Sequence, residues 1–330
     1  MCSSVAAVKA ALPNNKKRIQ NNLRFFLTVF LTGLFFIFFF KKNDATQVLC
    51  LIEDVSRTKL GSIAVLSLFS AAILVPLEFR WILKAVGPSI SFGEAMFIRM
   101  AAAPLKGVFP LKAGEFFVCG YLKWKRSVPV TQSLQTIMIS MFLAAVVLLM
   151  IILTGLMFNG NAAALKGAAV LTVMAGTLVL AVRFLKQHGT NNRVRGFLER
   201  LTAVARFFRS EKRKILKILG LAILIELIEV IIFFSLARTL AIDIPFAKAL
   251  FAVPAIMFIT NLPFTLFGLG TRELAVLYFF SGNASNEALL SCGLLYSLVC
   301  YLLPAIAGLL PLPFFLKALM SRNPEGGGLR

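Results

Sequence analysis

The stretch from Thr131 to Phe158 reads TQSLQTIMISMFLAAVVLLMIILTGLMF and contains no charged residue. A helix that crosses the hydrocarbon core of a bilayer needs about 20 consecutive apolar residues, and this run is long enough. Five other runs are apolar over a comparable length, so six membrane-spanning helices are predicted. The six runs are residues 23–40, 60–83, 131–158, 163–185, 216–240 and 285–316.

The composition of the whole chain also indicates an all-α integral membrane protein rather than a soluble or secreted one. Hydrophobic residues make up 59% of the 330 residues, against about 45–50% in soluble proteins. The formal net charge of +21 would suit nucleic-acid binding in a soluble protein. Excess Lys and Arg are, however, typical of cytoplasmic loops, and no aromatic-basic reading surface is present. No nucleic-acid partner is therefore expected.

The cysteine and histidine content argues against a metal site. The five cysteines include no Cys-x-x-Cys pair, and His188 is the single histidine. Metal-binding and catalytic constellations that use these residue types are therefore not predicted. We expect no metal, no cofactor and no catalytic residue.

Two further apolar stretches, residues 94–122 and 247–280, are interrupted by proline and glycine. The interruptions are Pro104, Gly107, Pro110 and Gly114 in the first stretch, and Pro254, Pro263, Gly268 and Gly270 in the second. Such breaks leave backbone groups unpaired, which lipid cannot satisfy. Both stretches are therefore predicted to form re-entrant helical hairpins buried between the spanning helices.

The order of these elements predicts an inverted repeat. Span, span, hairpin and span describe both halves, and three crossings per half invert the second copy. Phe92-Gly-Glu-Ala-Met-Phe97 opens the first hairpin, and Phe246-Ala-Lys-Ala-Leu-Phe251 opens the second. Inverted repeats with broken helices in matching positions are typical of transporters. The predicted divisions are an N-terminal tail (1–22), a first repeat (23–158), an inverted second repeat (159–316) with a basic loop (183–217), and a C-terminal tail (317–330).

The distribution of Lys and Arg predicts the orientation. With the N-terminus in the cytoplasm, and each hairpin returning to the side from which it enters, most of these residues lie on the cytoplasmic side. We expect a multi-pass protein of the cell (inner) membrane with both termini cytoplasmic. The basic loop 183–217 also carries apolar residues, which favours contact with anionic lipid headgroups on the cytoplasmic face. A simple positively charged anchor is the alternative.

Two motifs resemble the signatures of a known family. Phe109-Pro-Leu-Lys-Ala-Gly-Glu115 and Leu262-Pro-Phe-Thr-Leu-Phe-Gly-Leu-Gly-Thr-Arg-Glu273 are similar to those of the flippase-like membrane family that includes the transmembrane region of lysylphosphatidylglycerol synthase. The resemblance implies that a charged or glycosylated membrane lipid is moved between leaflets. The soluble aminoacyl-transfer domain of the full synthase has no room in 330 residues, so its enzymatic activity is not expected.

Charged residues near the hairpin breaks are the candidate site. A lipid phosphate needs cations and free backbone N–H groups, and a helix that starts after a break supplies the latter. The predicted substrate-binding residues are Arg99, Lys106, Pro110, Lys112, Gly114, Glu115, Pro263, Gly270, Arg272 and Glu273. In the alternative interpretation, the cations reach headgroups at the surface and the carboxylates stabilise helix N-termini.

Glu226 and Glu229 lie within the apolar run 216–240, three residues apart and on one helix face. A charged carboxylate at the bilayer centre costs roughly 2.5–3.5 kcal/mol, so such residues usually face a cavity or a partner. One interpretation is a site that carries protons or binds a substrate amine. The other is a buried ion pair with a hairpin cation.

The function predicted from these features is lipid or glycolipid transport by alternating access. The main alternative is a membrane glycosyltransferase that uses a polyprenyl-linked sugar donor, for which the acidic pair Glu53 and Asp54 is a candidate site. Arg57 and Lys59 nearby favour ordinary loop charge for that pair. A membrane scaffold is a third possibility, favoured if both hairpins tolerate substitution.

Overall fold

The structure is a computed structural model that describes Gly33 and residues 45–108, 114–158, 212–260 and 268–320. These residues form helices and turns, with no strand among them, which agrees with the predicted all-α class. The helices are α1 (Ala45–Glu53), α2 (Arg57–Val86), α3 (Phe92–Val108), α4 (Gly114–Arg126), α5 (Val130–Phe158), α6 (Lys212–Thr239), α7 (Phe246–Thr260), α8 (Thr271–Phe280), α9 (Asn286–Gly308) and α10 (Leu312–Met320).

Four of these helices are long and apolar enough to cross a membrane, namely α2, α5, α6 and α9. They coincide with the predicted spans 60–83, 131–158 and 216–240 and with most of the span 285–316. The predicted spans 23–40 and 163–185 lie outside the described residues, as do both tails and most of the basic loop.

The predicted span 285–316 is divided into two helices, so its predicted end at residue 316 is wrong. Helix α9 ends at Gly308, and α10 begins at Leu312. Pro311 and Pro313 explain the division, because proline lacks the N–H that an α-helix needs in its interior. Helix α10 packs against α3 and α4, where Phe315 stacks on Tyr121 with ring centroids 5.3 Å apart.

The two predicted hairpin stretches each form a pair of packed helices, α3 with α4 and α7 with α8. Pro104 and Gly107 lie inside α3, and Pro254 lies inside α7, so the predicted breaks at these positions are wrong. The Pro104 ring removes the hydrogen bond to the Met100 carbonyl, and α9 packs against this carbonyl. The neighbouring helix thus accommodates the proline. Residues 109–113 and 261–267, which contain the other predicted break positions Pro110 and Pro263, lie outside the described segments.

Two glycines allow close helix contacts between the two predicted repeats. Gly155 of α5 packs on α7, where an added Cβ would lie 2.7 Å from the backbone nitrogen of Phe251. Gly308 of α9 packs on α3, where an added Cβ would collide with the Met100 carbonyl oxygen. The last span of each predicted repeat therefore packs against the first hairpin helix of the other.

In both helix pairs, a polar side-chain contact joins the start of the first helix to the end of the second helix or to the turn that follows it. In the first pair, Arg126 donates two hydrogen bonds to Glu94. In the second pair, the Lys248 ammonium donates to Asn283 over 2.6 Å. Glu94 and Lys248 occupy the same position, the third, in the two opening sequences that begin at Phe92 and Phe246.

Candidate functional site

A cavity of about 250 Å³, lined by both charged and apolar residues, lies between α2, α3, α6 and α9. Three of these helices are spans, and α3 belongs to the first hairpin. The cavity is lined by Ser67, Ser70, Ala71, Val75, Arg99, Met100, Ala103, Lys106, Glu229, Ile232, Cys300, Tyr301 and Pro304. Residues of both predicted repeats thus face one another across it.

The first hairpin contributes two cations to the cavity wall. Arg99 and Lys106 lie two turns apart on α3, and both bind the Glu115 carboxylate at the start of α4. The Arg99 Nη1 atom is 2.9 Å from Glu115 Oε2, and the Lys106 Nζ atom is 2.7 Å from Glu115 Oε1. The Lys106 side chain keeps a quarter of its surface exposed, so the pair remains accessible to an anion.

Gly114 makes this arrangement possible. A Cβ at residue 114 would lie 2.6 Å from the backbone nitrogen of Lys106, which is too close for any side chain. Helix α4 therefore starts directly against the backbone of α3, and Glu115 reaches both cations. Glu78 of α2 also interacts electrostatically with Arg99 and Lys106. Glu78 is not among the residues predicted from the sequence, although its position near the end of an apolar run was the available signal.

The second hairpin forms a separate polar cluster. Arg272 and Glu273 are each 1% exposed at the start of α8. Ser297 of α9 bridges them, because its hydroxyl accepts from Arg272 Nη1 over 2.7 Å and donates to Glu273 Oε1 over 2.6 Å. The other carboxylate oxygen of Glu273 accepts from the backbone nitrogen of Gly270. Glu273 therefore has the predicted alternative role of stabilising a helix N-terminus.

Two backbone positions bring Arg272 into this cluster. Gly268 and Gly270 have φ angles of 72° and 93°, in the region that favours glycine. An added Cβ at Gly268 would also lie 3.0 Å from an Arg272 nitrogen. The glycines therefore provide both the turn before α8 and the space for the guanidinium.

Glu229 joins the second cluster to the cavity. It lines the cavity, and its Oε2 atom accepts hydrogen bonds from the hydroxyls of Tyr296 (3.0 Å) and Tyr301 (3.3 Å). The Arg272 guanidinium carbon lies 3.7 Å above the centroid of the Tyr301 ring. These two tyrosines were overlooked in the sequence, where two hydroxyl-bearing aromatics five residues apart in an apolar run were the available signal.

The candidate residues thus fall into three groups. Arg99, Lys106 and Glu229 line one cavity, with Glu115 and Gly114 directly behind the cations. Arg272, Glu273 and Gly270 form the second cluster, outside the cavity lining. Pro110, Lys112 and Pro263 lie outside the described residues. Glu226 is half-buried on α6 and does not line the cavity, although it interacts electrostatically with Tyr301, as Glu229 does.

The acidic pair proposed for glycosyl transfer lies elsewhere. Glu53 ends α1 and Asp54 follows it, and both side chains are exposed. Neither residue lines the cavity between the helices. No observation favours the glycosyltransferase alternative.

The chain matches a known protein family. The family described as lysylphosphatidylglycerol synthase TM region matches residues 25–308. The chain belongs to this family. The match covers both predicted repeats and confirms the resemblance drawn from the two hairpin signatures. Together with the four long apolar helices, it supports a multi-pass membrane protein. No match is found among curated proteins.

Proposed function

We propose that the protein moves an anionic or glycosylated lipid between the leaflets of the membrane by alternating access. The observation that carries this proposal is the cavity between apolar helices, into whose lining Arg99, Lys106 and Glu229 bring three charged side chains. Charged groups enclosed among membrane helices are costly and usually mark a substrate or ion pathway. The volume of about 250 Å³ suits a lipid headgroup, whose acyl chains would remain in the surrounding bilayer.

The crossed packing of the two halves supports an inverted-repeat transporter. Gly155 and Gly308 each join the last span of one predicted repeat to the first hairpin helix of the other. Glu94 and Lys248, at matching positions, each close the outer end of a hairpin. In transporters of this kind, the substrate site lies at the interface between the repeats, and residues of both predicted repeats line this cavity.

The proposed arrangement has six spans, two re-entrant hairpins and both termini in the cytoplasm of the cell (inner) membrane. In this arrangement, the basic loop 183–217 binds anionic headgroups on the cytoplasmic face. This orientation rests on the distribution of Lys and Arg along the chain.

The cavity residues suggest roles in the transport cycle. Arg99 and Lys106 would bind the lipid phosphate in competition with Glu115, because both cations already share that carboxylate. Glu229 would carry the proton or bind an amine of the headgroup, since it faces the cavity. Glu226, three residues away, has no such access and is the weaker candidate for proton coupling.

The proposal is tested by reconstitution into phosphatidylcholine vesicles that contain fluorescent phosphatidylglycerol. Dithionite bleaches the outer leaflet, so continued bleaching measures lipid movement. In Lys106→Gln we expect the rate to fall by roughly tenfold, because a hydrogen bond to a charged group contributes about 1.5–3 kcal/mol. Lys106→Arg should retain much of the rate.

Lys123→Gln is the matched control, because Lys123 is an exposed lysine of α4 and does not line the cavity. Its rate should equal that of the wild type. Wild-type vesicles that bleach no faster than protein-free vesicles, for this lipid and for a fluorescent glycolipid, would contradict lipid transport.

A further inference from the structure

Tyr301 contacts both the cavity and Arg272. It lines the cavity, and its ring centroid lies 3.7 Å from the Arg272 guanidinium carbon. Arg272, at the start of α8, is 1% exposed. The cavity and the buried arginine are therefore one aromatic ring apart.

The hydrogen bonds around Glu229 permit this ring to move. Tyr301 donates to Glu229 Oε2 over 3.3 Å, and Tyr296 donates to the same oxygen over 3.0 Å. If Tyr301 turns away, Tyr296 still binds the carboxylate, and Ser297 still binds Arg272. Movement of Tyr301 therefore leaves neither charged group without a polar partner.

The backbone at Tyr301 departs from the regular α-helix. Tyr301 lies in the π-helical turn Leu298–Leu302 of α9, just before Pro304. The Leu303 N–H donates to the Leu298 carbonyl, five residues earlier, and Pro304 has no N–H to donate. Single π turns inside α-helices are frequent at functional sites.

We infer that Tyr301 is a gate, and that its ring turns aside to expose Arg272 to a lipid phosphate in the cavity. The guanidinium would then lose its contact with the face of the ring and donate hydrogen bonds to two phosphate oxygens, which match its planar geometry. The phosphate would pass from Arg99 and Lys106 of the first hairpin to Arg272 of the second. This inference rests on the proposed function, because it assigns the phosphate to a transported lipid.

Chemical modification of arginine tests the gate without any transport assay. The purified full-length protein in detergent is treated with phenylglyoxal, and mass spectrometry measures the modified fraction of Arg272. We expect slow modification in the wild type and a rate roughly thirtyfold higher in Tyr301→Ala, the factor that corresponds to one desolvated cation–π contact. Short-chain phosphatidylglycerol should protect Arg272 in this variant.

Two controls accompany the measurement. Arg238 has an exposed side chain and reports the reactivity of the reagent in every sample. Tyr296→Phe removes the other hydroxyl donated to Glu229, but the Tyr296 ring lies 5.8 Å from the guanidinium and does not line the cavity. Arg272 in Tyr296→Phe should therefore stay protected.

If Arg272 in Tyr301→Ala is modified as slowly as in the wild type, the gate is refuted. If Arg272 is modified equally fast in Tyr296→Phe and Tyr301→Ala, the gate is also refuted, because this result would indicate a general loosening of the structure. If Tyr301→Ala does not fold, Tyr301→Phe is the test variant. Tyr301→Phe keeps the ring but loses the hydrogen bond to Glu229, so we expect a smaller increase in the modification rate of Arg272. No increase in this rate refutes the gate. If the modification pattern holds while the wild-type protein moves no lipid, the proposed function fails and the gate stands.

Discussion

At the scale of single residues, Arg272 shows how a permanent charge is kept in the interior of a helical membrane protein. The guanidinium cannot lose its proton to relieve burial, so it needs partners around its whole plane. Ser297 accepts from one nitrogen, and Tyr301 covers one face. Glu273, the sequence neighbour, is reached through Ser297, so the serine mediates the pairing that the sequence suggested.

This geometry predicts that Arg272→Lys is strongly impaired in transport but still folds. Lysine keeps the charge, but its ammonium cannot lie flat on the Tyr301 ring and donate a planar pair of bonds to phosphate. We expect lipid movement to fall by roughly tenfold, which corresponds to about 1.4 kcal/mol. Thermal melting of the detergent-solubilised protein should change little. Wild-type transport in this variant would rule out a forked phosphate contact and leave Arg272 a structural role.

At the scale of helices, small residues decide which elements touch. Pro104 frees the Met100 carbonyl in α3, and Gly308 lets α9 approach that carbonyl. Gly155 allows an equally close approach of α5 to α7. Without a strong hydrophobic force between helices inside lipid, such close van der Waals contact is a main source of stability.

Gly155→Ala should therefore destabilise the protein by about 1–3 kcal/mol, the usual cost of overpacking a close contact. The added methyl group would lie 2.7 Å from the Phe251 backbone nitrogen, so α5 and α7 must separate. Gly220→Ala is the control, because nothing lies within 4 Å of a Cβ there, and its stability should be unchanged or higher. Equal melting temperatures for the two variants would contradict the close packing of α5 on α7.

At the scale of the whole molecule, the two halves are interlocked rather than side by side. The last span of each predicted repeat packs against the first hairpin helix of the other repeat. Residues of both predicted repeats line the cavity. A movement of one half relative to the other must therefore change the shape of the cavity. This coupling is what alternating access requires.

The membrane orientation gives a prediction at this scale. Single cysteines at Asn43 and Asn191, which lie outside the described residues, should react with impermeant thiol reagents from opposite sides of the membrane. The reason is that the predicted first span ends before Asn43, whereas Asn191 belongs to the basic loop that we predict to be cytoplasmic. Labelling of sealed spheroplasts and of inverted vesicles provides the measurement. Labelling of both positions from one side would disprove the inverted repeat.

The sequence by itself determined the class of protein, four spans visible in the structure, the two interrupted stretches and the family. These features are local or compositional, because hydropathy, missing proline N–H groups and short motifs are properties of contiguous residues. The same local reasoning misplaced breaks at Pro104 and Pro254, since a neighbouring helix can accommodate a proline.

Only the tertiary structure decided which charged groups meet. Arg99 and Glu229 are 130 positions apart, and no spacing rule places them at one cavity. The burial of Arg272 behind Tyr301, and its link to Glu273 through Ser297, likewise depend on how α9 packs against α8. The physical reason is that such contacts arise from helix packing in three dimensions, whereas periodicity and composition describe each helix alone.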